Sequence, residues 1–374
     1  MAPYRCPPQE PSSPRVPGMD SALPFSLGRG LVRLSGRAQV AGRHRKQRSP
    51  LEPALNAPPR LRHLDEGPAV LVVNTRSRSG RVAFEEARAL LTARGIPLLA
   101  AHALSKPKRL RSVLEEAIAS GARRVLVGGG DGTISCAAQV LMNRDVTLGV
   151  VPLGTGNDFA RSLGIPDTIE AACDVIVGGY TARVDVGLVN GRPFLNAASL
   201  GLTTAIAKRL TQELKQRAGK LAYPMAAAAE MRTLQPFHVR LQAEGRTLEL
   251  DALQLVVGNG RYHGAGNMVA PDATLDDRRL HVYAITAPSA ADGSGERTGL
   301  GHLQDVATLA RVALGMRSGG HLEHESVVHL DTARLTVETE PPMEVNADGE
   351  NVGMTPMRFE VATAALRVYA PAPQ

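Results

Sequence analysis

Cysteine is scarce in this sequence, which has three in 374 residues, namely Cys6, Cys136 and Cys173. Cysteines this far apart, without neighbouring Cys or His clusters, suggest neither a disulfide framework nor a zinc site. They fit a reducing cytoplasm, which is where we expect the protein to work. Long hydrophobic runs are missing as well, because none approaches the ~18 residues that a transmembrane helix needs. The 43% hydrophobic and 21% charged residues are ordinary for a globular chain with room for two domains.

The excess of basic residues is confined to the start of the chain. The net charge is +7, and residues 1–66 contribute +6 of it with 11 Lys and Arg against 5 Asp and Glu. The same stretch holds 11 of the 26 prolines, shows no sustained periodicity and lacks the apolar core of a secretory signal, so we expect a disordered tail. Its cluster at 43–48 leaves contact with nucleic acid or an anionic membrane open. A solvated extension, or an over-extended gene start, is the preferred interpretation.

A glycine-rich turn organises the rest of the chain. Three apolar residues at 125–127 lead into glycines at 128–130, and apolar residues recur at helical spacing from Ile134 onward. This pattern predicts a strand, a turn and a helix that begins near Thr133. Glycines permit positive φ and let a ligand approach without a Cβ in the way. The helix would direct free N–H groups and the positive end of its dipole at the turn, which suits phosphate.

A carboxylate lies inside this turn, at Asp131, and Gly132 follows it. A simple phosphate cradle would be weakened by that negative charge. The carboxylate therefore indicates a metal ion or a hydroxyl group beside the phosphate. The alternative is a tight strand–helix turn that binds no ligand, because short glycine motifs are common.

Strand and helix patterns alternate around the turn. Strands are predicted at 69–73, 97–101, 125–127 and 147–151, and helices at 82–94 and 108–120. Alternation at this spacing predicts βαβ units and a parallel sheet, in which ligands bind beyond the carboxyl ends of the strands. Polar loops follow three such ends, at 74–80, 128–133 and 152–158. Three polar loops at one edge of one sheet predict a common ligand site.

Two blocks of residues resemble the diacylglycerol kinase catalytic-domain family, which includes bacterial soluble lipid kinases and sphingosine-type kinases. They are GGGDGT at 128–133 and PLGTGNDFAR at 152–161. Further similar blocks are NAASLG at 196–201, GKLAY at 219–223, GNGRY at 258–262, PDATLDD at 271–277 and NADGE at 346–350. The resemblance covers about residues 69–372. NAD kinases share the GGDGT turn and a similar architecture but lack the PLGTGND block, so they are the alternative family.

The resemblance implies a doubly wound α/β nucleotide-binding domain at 67–185, followed by a β-sandwich lipid-kinase domain at 186–374. Residues 1–66 would be the tail, and the last strand, near 365–369, would pack back on the first domain. The residue pattern agrees, because short strand-like runs broken by turns predominate after Tyr180. The exceptions are helices predicted at 203–217 and 303–316 and a surface loop predicted at 288–301.

The activity that the resemblance implies is an ATP- and Mg²⁺-dependent phosphoryl transfer to a hydroxyl group of diacylglycerol or a related lipid. Glu350 would accept the hydroxyl proton as general base, and Asp131 would help to hold the catalytic metal. A structural Mg²⁺ would be held by Asp277 together with the backbone carbonyls of Thr274 and Arg279. The residues implied in nucleotide binding are Asn74, Thr75, Arg76, Ser77, Arg78, Ser105, Gly128, Gly129, Gly130, Gly132, Thr133, Thr155, Asn157 and Asp158.

Three features weigh on these assignments. Asp348 and Gly349 form a standard hairpin dipeptide, so Glu350 is alternatively an exposed acid beside a turn. Arg278 stands where the family usually has a glycine, and its side chain could strain the metal loop or crowd the ion. The glycine run after Tyr262 is altered as well, which leaves the identity of the lipid open. His263 in that run is interpreted as a polar loop residue outside the site.

Two other functions stay open at this point. One is an NAD kinase-like enzyme, and the other is a catalytically inactive nucleotide-binding lipid sensor that its basic tail docks to membrane. Retention of Asp131, Asp158 and Glu350 weighs against an inactive protein. We expect a lipid substrate, peripheral association with the membrane and no nucleic-acid partner. The oligomeric state is open, with a homodimer as one option.

Overall fold

The computed structural model describes residues 61–62, 67–76, 80–209, 222–264, 266–268, 270–288, 299–316 and 319–373. Most of the predicted tail lies outside these residues, as do parts of the predicted helix at 203–217 and of the predicted loop at 288–301. Residues Leu61–Arg62 form a short strand that pairs with the start of a later one. None of the described helices is long and apolar enough to cross a membrane.

The elements alternate between strand and helix in the first half and are mostly strands in the second. The strands are β1 Leu61–Arg62, β2 Ala69–Asn74, β3 Leu98–Leu104, β4 Arg124–Gly129, β5 Thr147–Pro152, β6 Tyr180–Val189, β7 Arg192–Phe194, β8 Ala197–Gly201, β9 Phe237–Ala243, β10 Arg246–Gly258, β11 Tyr262–His263, β12 Asn267–Met268, β13 Leu280–Thr286, β14 Val327–Thr332, β15 Arg334–Glu340, β16 Glu344–Ala347, β17 Glu350–Met354 and β18 Met357–Tyr369. The helices are α1 Gly80–Ala93, α2 Leu110–Ala119, α3 Asp131–Leu141, α4 Asp158–Leu163, α5 Ile169–Gly178, α6 Leu202–Arg209, α7 Ala222–Arg232 and α8 Gly299–Gly315, with 3₁₀ turns at Pro107–Arg109 and Gly320–Glu323.

The first half of the chain forms a parallel sheet in the order β3–β2–β4–β5. In β2, Val70 and Val72 pack in one core with α2 and α3, whereas Leu71 and Val73 pack in another with α1 and α5. Helices on both faces require strands that are apolar throughout, which explains the continuous hydrophobic runs of the sequence. The predicted doubly wound α/β arrangement is confirmed.

The last strand, β18, joins the two halves. Near its end it pairs in parallel with β5, matching Arg367 to Thr147, and it pairs antiparallel with β6 in two stretches, at 359–362 and 366–369. The β6–β18 register shifts between Ala362 and Leu366, where Ala364 has a left-handed φ of 50°. The Asp185 carboxylate accepts the N–H of Ala364 at 2.7 Å and so fixes this irregular stretch. Strands β6 and β18 therefore belong to both halves of the fold.

The second half is antiparallel and extends the sheet in the order β17–β16–β8–β10–β9–β15–β18, while β13 pairs with β10 and with β14. Alternate residues of these strands fill one core, to which Phe194, Val239 and Phe359 contribute. Helices α6, α7 and α8 cover the opposite surface of β10 and β13 in a further core. The predicted β-rich second half is thereby confirmed as a sandwich-like arrangement. Helix α8 begins at Gly299, inside the stretch predicted as a loop.

Candidate functional site

The glycine-rich turn joins β4 to α3 at the carboxyl edge of the parallel sheet. Gly128 and Gly129 end β4, Gly130 is the N-cap residue of α3, and the helix begins at Asp131, two residues earlier than predicted. The carbonyl oxygen of Gly130 accepts the N–H of Thr133 at 2.8 Å. Within the described part of the chain, no side chain caps this helix. The first-turn N–H groups and the positive end of the helix dipole are thus directed toward a ligand site.

The glycines of the turn are needed for close packing of backbones. A Cβ atom on Gly154, in the loop after β5, would lie 2.6 Å from the Cα of Gly130, and one on Gly129 would lie 2.5 Å from the Cβ of Thr133. Positive φ, which glycine also permits, is not needed at Gly130, because its φ is an ordinary −88°. The two glycine loops instead contact each other directly, and the N–H of Leu153 donates to the Gly129 carbonyl at 2.9 Å.

The loop after β2 meets the same turn. The Asn74 side chain donates from Nδ2 to the hydroxyl of Thr133 at 3.0 Å and accepts the N–H of Arg76 at 3.2 Å. The N–H of Thr75 bonds to the carbonyl oxygen of Leu104, at the end of β3, so that the exposed Ser105 follows at the same edge. The predicted residues Ser77 and Arg78 lie outside the described residues.

The loop after β5 is closed by its own asparagine. Asn157, the N-cap residue of α4 with a left-handed φ of 51°, accepts the N–H of Gly154 at 2.8 Å and donates to its carbonyl at 3.1 Å. Its side chain is buried and supports the loop, and its assignment to nucleotide binding stays a prediction. Thr155 is exposed at the tip of the loop, where a nucleotide could reach it.

Three carboxylates meet between these loops and the second half of the chain. Asp158 is buried and accepts the N–H of Gly266, from the β11–β12 hairpin, at 2.7 Å. Burial, together with the negative charges of Asp158 and to a smaller extent Asp348, raises the pKa of Asp131 to about 6. The N–H of Phe159 lies 3.5 Å from an oxygen of Asp131, which places the start of α4 beside this carboxylate.

The sequence analysis treated Asp348 only as part of a turn. In the structure, its carboxylate bonds to both halves of the chain. It accepts the hydroxyl of Ser135, on α3, at 2.8 Å and three backbone N–H groups from residues 195–197. Asp348 and Gly349 form the two-residue turn between β16 and β17, and half-buried Glu350 follows as the first residue of β17. One signal in the sequence could have indicated this role, namely that Asp348 lies two residues before the glutamate of the NADGE block.

His263 also belongs to this region, although the sequence interpretation excluded it. It lies in the β11–β12 hairpin, which packs against α4. Burial lowers the pKa of His263, and the negative charges of Asp348 and Asp158 partly oppose that shift.

The loop predicted to hold a structural metal is closed by hydrogen bonds of its own. The carboxylate of Asp277 accepts the N–H groups of Thr274 and Arg279, both at 3.0 Å, and lies 2.8 Å from Nε2 of His281. Arg278 adopts a left-handed φ of 61°, so it takes the conformation for which a glycine is usual. Its N–H donates to the Asp185 carboxylate at 2.7 Å, which helps to hold this conformation.

A metal ion in this loop would compete with a proton on His281. His281 contacts Asp277 with one ring nitrogen and Asp331, at 2.9 Å, with the other. Burial alone would lower the pKa of His281, but its hydrogen bonds to the two carboxylates and their charges raise it to about 9. An imidazolium at neutral pH would repel a cation from the carboxylate that it contacts. The assignment of Thr274, Asp277 and Arg279 to a metal stays a prediction.

The acid group around Asp131 fits a cation better. Across the described residues, no cluster of three or more His, Cys, Asp or Glu side chains is arranged to hold a metal by itself. Mg²⁺ rarely needs such a cluster, because it is usually bound by one or two carboxylates together with waters and the phosphates of a nucleotide. The negative charge that raises the pKa of Asp131 would be relieved by such an ion.

Comparison with known proteins identifies the class to which these features belong. Residues 68–189 match the diacylglycerol kinase catalytic domain. Residues 197–296 and 298–370 match the YegS C-terminal NAD kinase beta sandwich-like domain. The chain belongs to the diacylglycerol kinase catalytic-domain family, in the group that carries this C-terminal domain.

Relatives and a solved structure support the same membership. A protein named "probable lipid kinase YegS-like" from Pseudomonas aeruginosa is 34% identical over 70% of this chain and 81% of its own length. A diacylglycerol kinase from Bacillus subtilis is 31% identical over 66% of this chain and 77% of its own. The crystal structure of a protein assigned as a diacylglycerol kinase from Bacillus anthracis is 26% identical, with a TM-score of 0.65, over 82% of this chain and 96% of that one.

Proposed function

We propose that this protein is a lipid kinase that transfers the γ-phosphoryl group of ATP to a hydroxyl group of diacylglycerol or a related lipid. The observation that carries the proposal is the combination of groups in the cleft. Backbone N–H groups at the start of α3 suit phosphate, and the carboxylate of Asp131 beside them suits a cation. The names of the relatives, which include lipid and diacylglycerol kinases, support the same reaction.

Nucleotide binding is assigned to the three loops at the edge of the parallel sheet. The start of α3 would contact the phosphates, and the bond between Asn74 and Thr133 would hold the first loop against it. Exposed Thr155 and Arg76 are free of tight packing and could reach the nucleotide. Asp131 would hold the Mg²⁺ that accompanies ATP, and this ion would neutralise charge on the transferred phosphoryl group.

Glu350 is proposed as the general base. In the transfer, the oxygen of the lipid hydroxyl forms a bond to the γ-phosphorus while the bond to the β-phosphate oxygen breaks and ADP leaves. The hydroxyl proton passes to the Glu350 carboxylate. The hairpin that carries Glu350 is bonded to α3 through Asp348 and Ser135, which supports a role close to the phosphates.

The test is a screen for turnover with labelled ATP and Mg²⁺ against a fractionated total lipid extract in mixed micelles. We expect a labelled phospholipid product with the wild-type protein and much less with Glu350→Gln. Labelled NADP formed from NAD, without a lipid product, would favour the NAD kinase alternative. Thermal stabilisation by ATP without turnover on any lipid would favour the sensor.

Access to the lipid is proposed to occur by peripheral association with the membrane, while the oligomeric state stays open, with a homodimer as one option. Vesicle flotation in the presence and absence of salt measures the first, and light scattering measures the second. A protein that stays off lipid vesicles of every composition would contradict peripheral association.

A further inference from the structure

Asp348 connects the two halves of the candidate site through its carboxylate. Its Oδ2 atom accepts the N–H of Leu195 at 2.6 Å and the hydroxyl of Ser135 at 2.8 Å. Its Oδ1 atom accepts the N–H groups of Asn196 at 3.0 Å and Ala197 at 3.3 Å. Ser135 lies on α3, whereas the three amides lie at the start of β8. One side chain therefore bonds both to the phosphate-binding helix and to the second half of the chain.

The backbone of Asp348 is held against the same segment. Its N–H donates to the carbonyl oxygen of Ala197 at 3.0 Å. Asp348 and Gly349 have left-handed φ angles of 47° and 88°, as a two-residue hairpin turn requires, and the N–H of Gly349 donates to Asn346 at 2.9 Å. Glu350 follows directly. The location of Glu350 relative to α3 thus depends on the contacts of Asp348.

We propose that Asp348 is a positioning residue, which fixes the distance between Glu350 and the phosphate-binding end of α3. The proposal rests on the proposed function, because it concerns the transfer step in the same cleft. All four partners of the carboxylate are donors, so only an acceptor with two oxygens satisfies them. An asparagine has the same shape, but in either orientation its NH₂ group would face at least one backbone N–H, because of the four partners only the Ser135 hydroxyl can also accept.

Loss of these bonds should affect transfer more than nucleotide binding. Phosphoryl transfer depends on placement of the hydroxyl and the γ-phosphoryl group, and a displacement of about 1 Å can lower a rate by about 10²-fold. The groups assigned to ATP lie on the loops and α3 of the first half, where Asp348 bonds to Ser135 and supplies only the smallest of the effects that raise the pKa of Asp131. A looser hairpin would therefore separate Glu350 from the phosphates without removing their binding groups.

The experiment compares Asp348→Asn and Ser135→Ala with wild type on the lipid that the wild type phosphorylates. Asp348→Asn should lower kcat by about 10²-fold and leave the KM for ATP near the wild-type value. Amide hydrogen exchange should become faster at Leu195, Asn196 and Ala197. Ser135→Ala removes one of the four bonds and should lower kcat less. Because the two residues share a bond, the double variant should lose less than the product of the single effects.

Thr332→Val is the matched control for a simple loss of stability. The buried Thr332 hydroxyl bonds to the carbonyl and the N–H of Arg334 in the turn between β14 and β15, and it takes part in none of the contacts described for the cleft. This variant should lower Tm but keep kcat. If it lowered kcat as much as Asp348→Asn at an equal loss of Tm, the effect of Asp348 would be structural and the positioning role would be overturned.

The remaining outcomes separate the two proposals. A folded Asp348→Asn protein with the kcat of wild type would overturn the positioning role and leave the lipid kinase proposal standing. A wild-type protein that phosphorylates no lipid would overturn the proposed function itself, together with the role that rests on it.

Discussion

The three carboxylates of the cleft are surrounded differently, and this separates their chemistry at the scale of single residues. Asp348 has four hydrogen-bond donors, and Asp158 accepts a backbone N–H from Gly266. Asp131 has two negative neighbours, and none of the described cations forms an ion pair with it. Because burial and these charges oppose its ionisation, Asp131 is the carboxylate that gains most from a bound cation.

Glu350→Gln should separate proton transfer from nucleotide binding. Glutamine keeps the shape of the side chain but cannot accept the hydroxyl proton, and removal of a general base typically lowers a rate by ~10²–10⁴-fold. We expect that loss in kcat with ATP binding nearly unchanged, measured by steady-state kinetics and calorimetry. Near-normal turnover would mean that the base lies elsewhere, with Asp158 or Asp131 as the next candidates.

Asp131→Asn should stabilise the ligand-free protein at neutral pH. It should also remove the effect of Mg²⁺ on the Tm. The pKa of Asp131 is raised from 3.8 to about 6 in the folded state, so the folded protein binds the proton more tightly and loses stability as the pH rises through this range. At pH 7.5 the variant should gain about 1–2 °C in Tm, roughly the shift that 1 kcal/mol produces in a fold of this size. Near pH 4 the difference should vanish.

The control for this prediction is Asp145→Asn. Hydrogen bonding and charge from Arg367, with a further contribution from Arg123, lower the pKa of exposed Asp145, which is the opposite direction. Its replacement should raise Tm at neither pH. If Asp131→Asn were destabilising at neutral pH, it would be wrong that burial and neighbouring charges oppose the ionisation of Asp131.

At the scale of loops and strands, the site is formed where backbones approach each other without side chains between them. Gly130 and Gly154 bring the loops after β4 and β5 into contact, and Asn157 holds the second loop closed. The loop around Asp277 is instead held by side chains, because His281 at the start of β13 contacts both Asp277 and Asp331 on β14. Substitutions at Gly154 and His281 test these two loops.

Gly154→Ala should weaken ATP binding in a folded protein. The added Cβ would meet the backbone of Gly130 at 2.6 Å, so one loop has to move and the start of α3 loses its alignment. We expect at least an approximately tenfold rise in the Kd for ATP, equivalent to about 1.4 kcal/mol. Gly178→Ala is the control, since its Cβ would find only the Tyr180 ring at 3.8 Å. Unchanged affinity in Gly154→Ala would contradict the contact between the loops.

His281 should make stability depend on pH in the alkaline range. Its pKa is raised from 6.5 to about 9, so its contribution is complete below about pH 6.5 and is lost as the pH rises through about 9. His281→Gln should be less stable near pH 6.5. Its free energy of unfolding, measured in urea, should also depend less on pH than that of the wild type. Removal of divalent cations by a chelator should leave the Tm of the ligand-free wild type unchanged. A fall in Tm on chelation would instead favour a metal in this loop.

At the scale of the whole molecule, the two halves share their central strands. Strands β6 and β18 run from the parallel sheet into the antiparallel one, and the Asp185 carboxylate fixes the stretch of β18 where the register changes. The basic excess of the chain lies before this body, in residues 1–66. Binding to a charged surface and catalysis can therefore be tested separately.

Deletion of residues 1–60, which retains the short strand Leu61–Arg62, should leave folding and turnover on a short-chain micellar lipid unchanged. Activity on anionic vesicles should fall, because positive charge near the surface is lost, and the difference should shrink as salt is added. Circular dichroism and vesicle assays at two salt concentrations measure both effects. A truncated chain that does not fold would show that the deleted residues are structural.

Local patterns were sufficient for the parallel half of the fold. The runs at 69–73, 125–127 and 147–151 fall in β2, β4 and β5, because a strand buried on both faces must be apolar along its own sequence. The meeting of Asn74 with the glycine turn followed from the same reasoning, since the carboxyl ends of parallel strands share one edge. Each of these signals is contained in about ten consecutive residues.

The remaining features depended on contacts between distant parts of the chain. Ser135 and Asp348 are 213 residues apart, and His263 and His281 acquire their surroundings from Asp158, Asp348 and Asp331. Neither composition nor periodicity indicates which donors a carboxylate will find, because hydrogen bonds between side chains form only once the sheet has brought its strands together. Hydrophobic burial and backbone conformation are properties of a segment, whereas the electrostatics of the site are a property of the folded chain.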